Sequence, residues 1–179
     1  MIPALLLASM LGQAVPDWPD KPAAQWVQGG PLTLTELRGK VVLIRFFTDP
    51  DCPYCRATAP TLNAFHRAFA ARGLVVIGIY TPKPKPRAVT VGEVRAIVAD
   101  YGFEFPVVID ADWGALRRLW LDRASDSSFT SASLLIDRGG VLRHVQEGGA
   151  YAKGAADPKA RRDYDQMIEA ITGLLAEPP

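Results

Sequence analysis

The sequence predicts an α/β fold, a mixed central β-sheet with helices on both faces, closed by a C-terminal β-hairpin and helix. Two observations carry that prediction. Apolar, β-branched runs alternate along the chain with stretches of helical periodicity, which implies strands joined through helices. The last two strand-like runs are instead joined by a short "RGG" turn signal, which implies an antiparallel hairpin added to the sheet.

Each element follows from its residues. "GKVVLIRFF" (39–47) is a β-branched and aromatic run opened by glycine, as a buried strand requires. Pro53 suits the first position of a helix, and Leu62, Phe65 and Phe69 repeat at helical spacing until Gly73 stops it. "LVVIGIYT" (74–81) is a second strand, and the alternating prolines of "PKPKPR" then favour an extended loop. In "TVGEVRAIVADYG" (90–102), Val91, Val94, Ile97 and Val98 share one helical face. "PVVID" (106–110) is a short strand, and "WGALRRLW" a further helical turn or two. "SASLLID" (131–137) and "VLRHVQE" (141–147) form the hairpin, and after a Gly-rich polar loop "ARRDYDQMIEAITGLL" closes the chain as an amphipathic helix.

With 179 residues, 49% of them apolar and 22% charged, the chain can bury a core without staples. A formal charge of +1 and the lack of a long basic run exclude nucleic acid as a partner. The N-terminus carries an apolar stretch, Ile2 to Leu11, followed by small and turn-forming residues with a cleavage-compatible Gln13-Ala14-Val15. Residues 1–16 therefore read as a signal peptide or hydrophobic leader, although no Lys or Arg precedes Lys21, and 17–179 as one domain. The expected location is extracytoplasmic if the leader is a signal, otherwise cytoplasmic. The apolar run is too short to span a bilayer, which needs ~20 residues.

Cys52 and Cys55 are the only cysteines, too close in sequence to staple distant segments, so they invite a chemical reading. A buried strand delivers the chain to Cys52 and a helix starts immediately after it. A thiol there meets unpaired N–H groups and the positive end of the helix dipole, which can lower its pKa from about 8.5 into the ~3.5–7.5 range. Cys52 is thus the expected nucleophile. Cys55, one turn on and more shielded, is the expected resolving thiol.

Cys52-Pro53-Tyr54-Cys55 on this strand–helix joint, Pro60 farther along the helix, and the stretches "LTLTELRGKVVLIRFF", "GLVVIGIYTP", "FEFPVVID" and "SLLIDRGGVLRHVQEGGAY" resemble the thioredoxin superfamily. Within it, the chain is similar to TlpA-like redoxins and to the thioredoxin-like domain of DipZ-type proteins. The resemblance implies a thioredoxin-like fold and a thiol-disulfide oxidoreductase. Such an enzyme acts on a protein thiol or disulfide and an unidentified redox partner, without a cofactor, as a monomer.

Three positions depart from the superfamily's pattern. Asp51 stands before the nucleophile where thioredoxins carry Trp, with Asp49 nearby, and two carboxylates oppose thiol ionisation. Arg45 stands where thioredoxins carry a buried acid; it cannot be a base, but its charge favours thiolate, as would that of Arg56 if close. The position of the superfamily's cis-proline, which docks substrate, is Ser131. A cis bond without proline costs about 2.5–4 kcal/mol, so Thr130–Ser131 is expected to be trans. Pro53, Tyr54, Arg45, Asp51, Arg56, Thr130 and Ser131 are accordingly the candidates for redox tuning or substrate docking around Cys52 and Cys55.

Three alternatives stay open. Two thiols at this spacing are half of a zinc or copper site. His66 lies too far along the helix to complete one, however, His144 reads as a surface strand residue, and the His that copper-chaperone relatives carry near Phe129 is missing. Peroxide reduction fits poorly, because Thr48 and Pro50 do not match the spacing of the peroxidatic motif. A non-catalytic interaction module is the third. Trp113, Trp120, Phe103 and Phe105 could wall a groove or pack in the core, and Glu93 and Glu104 are candidate bases.

Overall fold

The computed structural model describes residues 10–123 and 130–178. Residues 1–9 of the expected leader, and Phe129, lie outside the described residues. The elements run β1 (Trp26–Gln28), β2 (Val41–Phe47), α1 (Pro53–Phe69), β3 (Leu74–Tyr80), α2 (Val91–Tyr101), β4 (Val107–Ile109), α3 (Gly114–Leu116), β5 (Ser133–Ile136), β6 (Leu142–Gln146) and α4 (Pro158–Ala176). The strands form one six-stranded sheet in the order β1-β4-β3-β2-β5-β6. The β2–β3 and β3–β4 pairs are parallel, whereas β1–β4, β2–β5 and β5–β6 are antiparallel, so the sheet is mixed and the C-terminal hairpin is present.

Parallel crossovers put helices over the sheet, and a central strand is then apolar on both sides. In β2, Leu43 and Phe47 pack with Leu62, Phe65, Val94, Met167 and Ile171, under α1, α2 and α4. Val42, Ile44 and Phe46 point the other way, toward Trp18, Trp26, Leu34, Leu116, Leu119 and Trp120. The aromatic quartet therefore divides between the two faces. Phe103 and Phe105 pack in the first cluster, and Trp120 in the second with Trp113 at its margin, so no common aromatic wall forms.

Local signals fix the helix ends. Thr90 and Glu93 form a reciprocal capping box at the start of α2, and Gly102, at φ 63°, ends it. Gly73, at φ 101°, turns the chain after α1 into β3. Beyond α3 the chain continues as a π-helical turn, Arg117–Leu121.

Two features went unpredicted. The first is β1, whose Gln28 side chain also donates to the carbonyls of Phe103 and Phe105, at 3.0 and 2.6 Å. The second is the packing of the segment around the expected cleavage position. Met10 and Val15 are buried, Ala14 pairs with Val141, and the Gly12 N–H donates to Leu142 at 2.8 Å. A buried ion pair then holds the following segment: Lys21 Nζ lies 2.7 Å from Asp110, whose carboxylate also accepts the N–H groups of Ala115 and Leu116 at 2.9 and 2.8 Å.

Candidate active site

Strand β2 ends at Phe47, a tight loop follows, and Cys52 becomes the N-cap of α1 with Pro53 in its first turn. The Cys52 N–H donates to the Asp49 carbonyl at 3.1 Å. Its sulfur accepts the Cys55 N–H at 3.2 Å, so it takes the place that a Ser or Asp oxygen takes in ordinary caps. Both thiols are free; Cys52 is half-buried, Cys55 is 2% exposed, and Tyr54 stands out at 53% exposure. The geometry thus separates an approachable sulfur from a shielded one a turn away, as the spacing predicts.

The electrostatics separate them further. Hydrogen bonding with the Cys55 thiol, then the Cys55 N–H and the charges of Arg45 and Lys83, outweigh burial and lower the Cys52 pKa from an ordinary thiol value near 9 to about 6. The Cys55 thiol moves far up, because it holds the proton shared with Cys52 and because it is buried. At neutral pH the pair is therefore one thiolate and one thiol. Between about pH 6 and 9 the folded reduced chain carries a thiolate that the unfolded chain still protonates, so the unfolded state binds more protons. The stability of the reduced protein is expected to rise with pH across that window, and alkylation of Cys52 to titrate with a midpoint near 6. Stopped-flow alkylation followed by peptide mapping measures the midpoint, and a value at or above 8.5 would contradict the assignment.

The structure places the other candidates unevenly. Arg45 is 1% exposed beneath the site, between β3 and β5. Its guanidinium donates to Ser133 Oγ at 3.2 Å, Gln146 Oε1 at 3.0 Å and the Gly149 carbonyl at 3.1 Å, and lies 5.6 Å from the Tyr151 ring centre. Tyr151 in turn bonds Ser133 Oγ at 3.0 Å, and its N–H donates to Thr58 Oγ1 at 3.4 Å, tying the Gly148–Tyr151 loop to α1.

Arg56 is engaged by another element. It donates to Asp100 at 2.7 Å and lies over the Tyr101 ring, so its charge is spent across the α1–α2 contact. The carboxylates do not win either. Asp49 accepts from the Tyr80 hydroxyl and faces Arg87 at 3.6 Å, while Asp51 is exposed to solvent. Glu93 caps α2 and Glu104 pairs with Arg67, so neither serves as a base at the sulfurs.

Thr130 and Ser131 are buried, and cis bonds among the described residues are confined to Gly30–Pro31 and Lys83–Pro84, so Thr130–Ser131 is trans. The hydroxyls of Thr48 and Thr130 and the Nε of Arg45 are buried without hydrogen-bond partners. No group of three or more His, Cys, Asp or Glu able to hold a metal occurs among the described residues.

Four residues of the site escaped sequence reasoning. Ser133, Gln146 and Tyr151 surround Arg45 from the hairpin and the loop after it. The charge of Lys83, in "PKPKPR", favours the Cys52 thiolate, and the Pro82 carbonyl of that loop accepts the Trp113 indole N–H at 2.8 Å. Beside Tyr54, an open, mainly apolar groove of about 530 Å³ runs between Pro53 and Ala57 on one side and Gly149, Ala156 and Lys159 on the other.

Known proteins resemble this chain in sequence and fold. Protein DipZ of Mycobacterium tuberculosis is 34% identical over 122 residues, 66% of this chain but 16% of that protein, so the chain spans a small part of that relative. Thiol-disulfide oxidoreductase YkuV of Bacillus subtilis is 24% identical over 128 residues, covering 72% of this chain and 80% of its own. The crystal structure of a thiol-disulfide isomerase from Corynebacterium glutamicum superposes with a TM-score of 0.65 at 24% identity, over 90% of this chain and 97% of that one. Residues 11–145 match the AhpC/TSA family profile, and with the thioredoxin-like sheet and its cysteine-capped helix this chain belongs to that family of redoxins.

Proposed function

We propose that this protein is a thiol-disulfide oxidoreductase that exchanges disulfides with a protein partner through Cys52 and Cys55. One observation carries the reading: a half-buried sulfur capping a helix accepts the N–H of a second, buried cysteine one turn on. The pair supplies an attacking thiolate and a resolving thiol at one point of the surface. The oxidoreductase name borne by YkuV supports the same reading.

Cys52 thiolate attacks a substrate disulfide and expels one substrate thiolate, forming a mixed disulfide. Cys55 then loses its proton and attacks Cys52 Sγ, which releases the second substrate thiolate and closes the Cys52–Cys55 bond. Two electrons pass to the substrate, and the reverse sequence oxidises a substrate dithiol. The groove beside Tyr54, lined also by Pro53, offers the substrate chain an apolar surface, and Thr130 and Ser131 are assigned to docking by their place in the sequence where the superfamily carries its cis-proline. The chain works as a monomer, with residues 17–179 as the active unit. Export is the favoured location, because of the apolar leader and because a disulfide persists in an oxidising compartment.

The test is the Cys55→Ser variant incubated with an unfolded, disulfide-containing protein. Stable mixed disulfides through Cys52 should accumulate and be released by thiol reductant. A variant that turns over peroxide but traps no protein would replace this reading with a peroxidase.

A further inference from the structure

The turn that carries the chain into Cys52 is Asp49-Pro50-Asp51-Cys52, closed by the Cys52 N–H on the Asp49 carbonyl at 3.1 Å. Asp at the first position and Pro at the second suit such a turn. What sets it apart is the number of other elements that hold it. The same Asp49 carbonyl accepts the hydroxyl of Tyr101, the last residue of α2, at 3.1 Å. The Asp49 carboxylate accepts the hydroxyl of Tyr80, the last residue of β3, and lies 3.6 Å from Arg87. Arg87 is tied down by its N–H on the Ala111 carbonyl at 3.2 Å and by Glu93, 3.7 Å away, which caps α2. Arg56 reaches the Pro50 carbonyl at 3.4 Å.

We propose that Asp49 is the positioning residue of the nucleophile, its carboxylate clamping the turn to Tyr80 and Arg87 so that Cys52 stays at the cap of α1. The inference rests on the exchange reading above, which needs an approachable thiolate at that cap. Cys52 holds extended backbone angles, φ −76° and ψ 103°, while the helix starts at the next residue, and from that position its sulfur accepts the Cys55 N–H at 3.2 Å. A turn free to shift would let the sulfur swing off that N–H. Asp49 thus acts on the sulfur through the turn. Tyr80 is a fixed post for it: the residue is 1% exposed, its carbonyl accepts the Asp110 N–H at 2.8 Å, and its ring packs edge-on against Phe47 with centroids 5.6 Å apart.

A carboxylate so near the nucleophile in sequence also suits the opposite role, a charge that opposes the thiolate. The two roles predict opposite signs. Removing an opposing charge lowers the pH at which Cys52 ionises, whereas loosening the turn takes a hydrogen bond from the thiolate and raises it. Cys55, Arg45 and Lys83, which favour the Cys52 thiolate, are unchanged in every variant compared.

The experiment measures the pH midpoint of Cys52 alkylation in the full-length reduced chain and in its Asp49→Ala, Asp49→Asn and Tyr80→Phe variants, with thermal melting of each. Asp49→Ala should raise the midpoint by about one pH unit, which slows alkylation about fivefold at pH 6. Asp49→Asn keeps an oxygen for the Tyr80 hydroxyl and should stay at or below wild type. Burial and then the bond to Asp49 hold Tyr80 protonated well above neutral pH, so Tyr80→Phe removes the clamping hydroxyl without altering charge. It should raise the midpoint in the same direction as Asp49→Ala, and it keeps the test decisive even if Asp49→Ala does not fold. Midpoints that fall equally in Asp49→Ala and Asp49→Asn make Asp49 an opposing charge and overturn the proposal. A lower melting temperature with an unmoved midpoint overturns it too, leaving Asp49 a structural residue only. Because the readout is alkylation, a Cys55→Ser chain that traps no substrate removes the exchange reading while the midpoints still decide the role of Asp49.

Discussion

Cys52→Ser is expected to abolish disulfide exchange, lowering the rate by more than about 10³-fold, the scale of loss when a covalent nucleophile is removed. Serine at this cap keeps an acceptor for the Cys55 N–H, so α1 starts at the same place and the fold survives. What disappears is the thiolate, since an alcohol is not ionised near neutral pH and cannot form a mixed disulfide. Circular dichroism should match wild type while turnover of a disulfide substrate vanishes. Retained turnover would move the chemistry away from Cys52.

Asp110→Ala is expected to destabilise the fold by about 3–5 kcal/mol, because it strands a buried ammonium. Lys21 Nζ sits 2.7 Å from Asp110, and both side chains are almost fully buried. The same carboxylate accepts the N–H groups of Ala115 and Leu116, which would lose their partners at the start of α3. Asp112 also approaches Lys21, at 3.6 Å, but its side chain is 79% exposed, so Asp112→Ala should cost no more than about 1 kcal/mol. Denaturant midpoints of the two variants give the comparison. Equal losses would show that the buried pair is not what holds the N-terminal segment to the sheet.

The sheet was legible where hydrophobic pattern and punctuation agreed. "VVLIRFF" is apolar on both faces because β2 lies between β3 and β5, and Cys52, Pro53 and Gly73 bound α1 through local chemistry alone. Strand β1 was not legible: three residues carry no periodicity, and its pairing with β4 is a contact across about eighty positions of sequence. The π-helical turn after α3 likewise has no signature in "RRLWL".

At the site, sequence located the sulfurs and Arg45 but could not settle the balance of charge. That balance depends on partners far away in the chain. Arg56 pairs with Asp100, 44 positions on, and Asp49 with Tyr80 and Arg87, while the thiolate is favoured first by the Cys55 thiol, then by the Cys55 N–H, Arg45 and Lys83. The partners of Arg45 at Ser133, Gln146 and Gly149 lie 88 to 104 positions away, so its lack of a carboxylate is visible only in the fold.

The central claim is that Cys52 and Cys55 form one reversible couple, and its most direct measurement is the fraction of the pair alkylated after equilibration in thiol buffers of graded potential. The account predicts a single two-electron transition in which both cysteines are protected together, between about −300 and −120 mV. A pair that stays fully alkylatable in the most oxidising buffer, or in which the two cysteines respond separately, would contradict it.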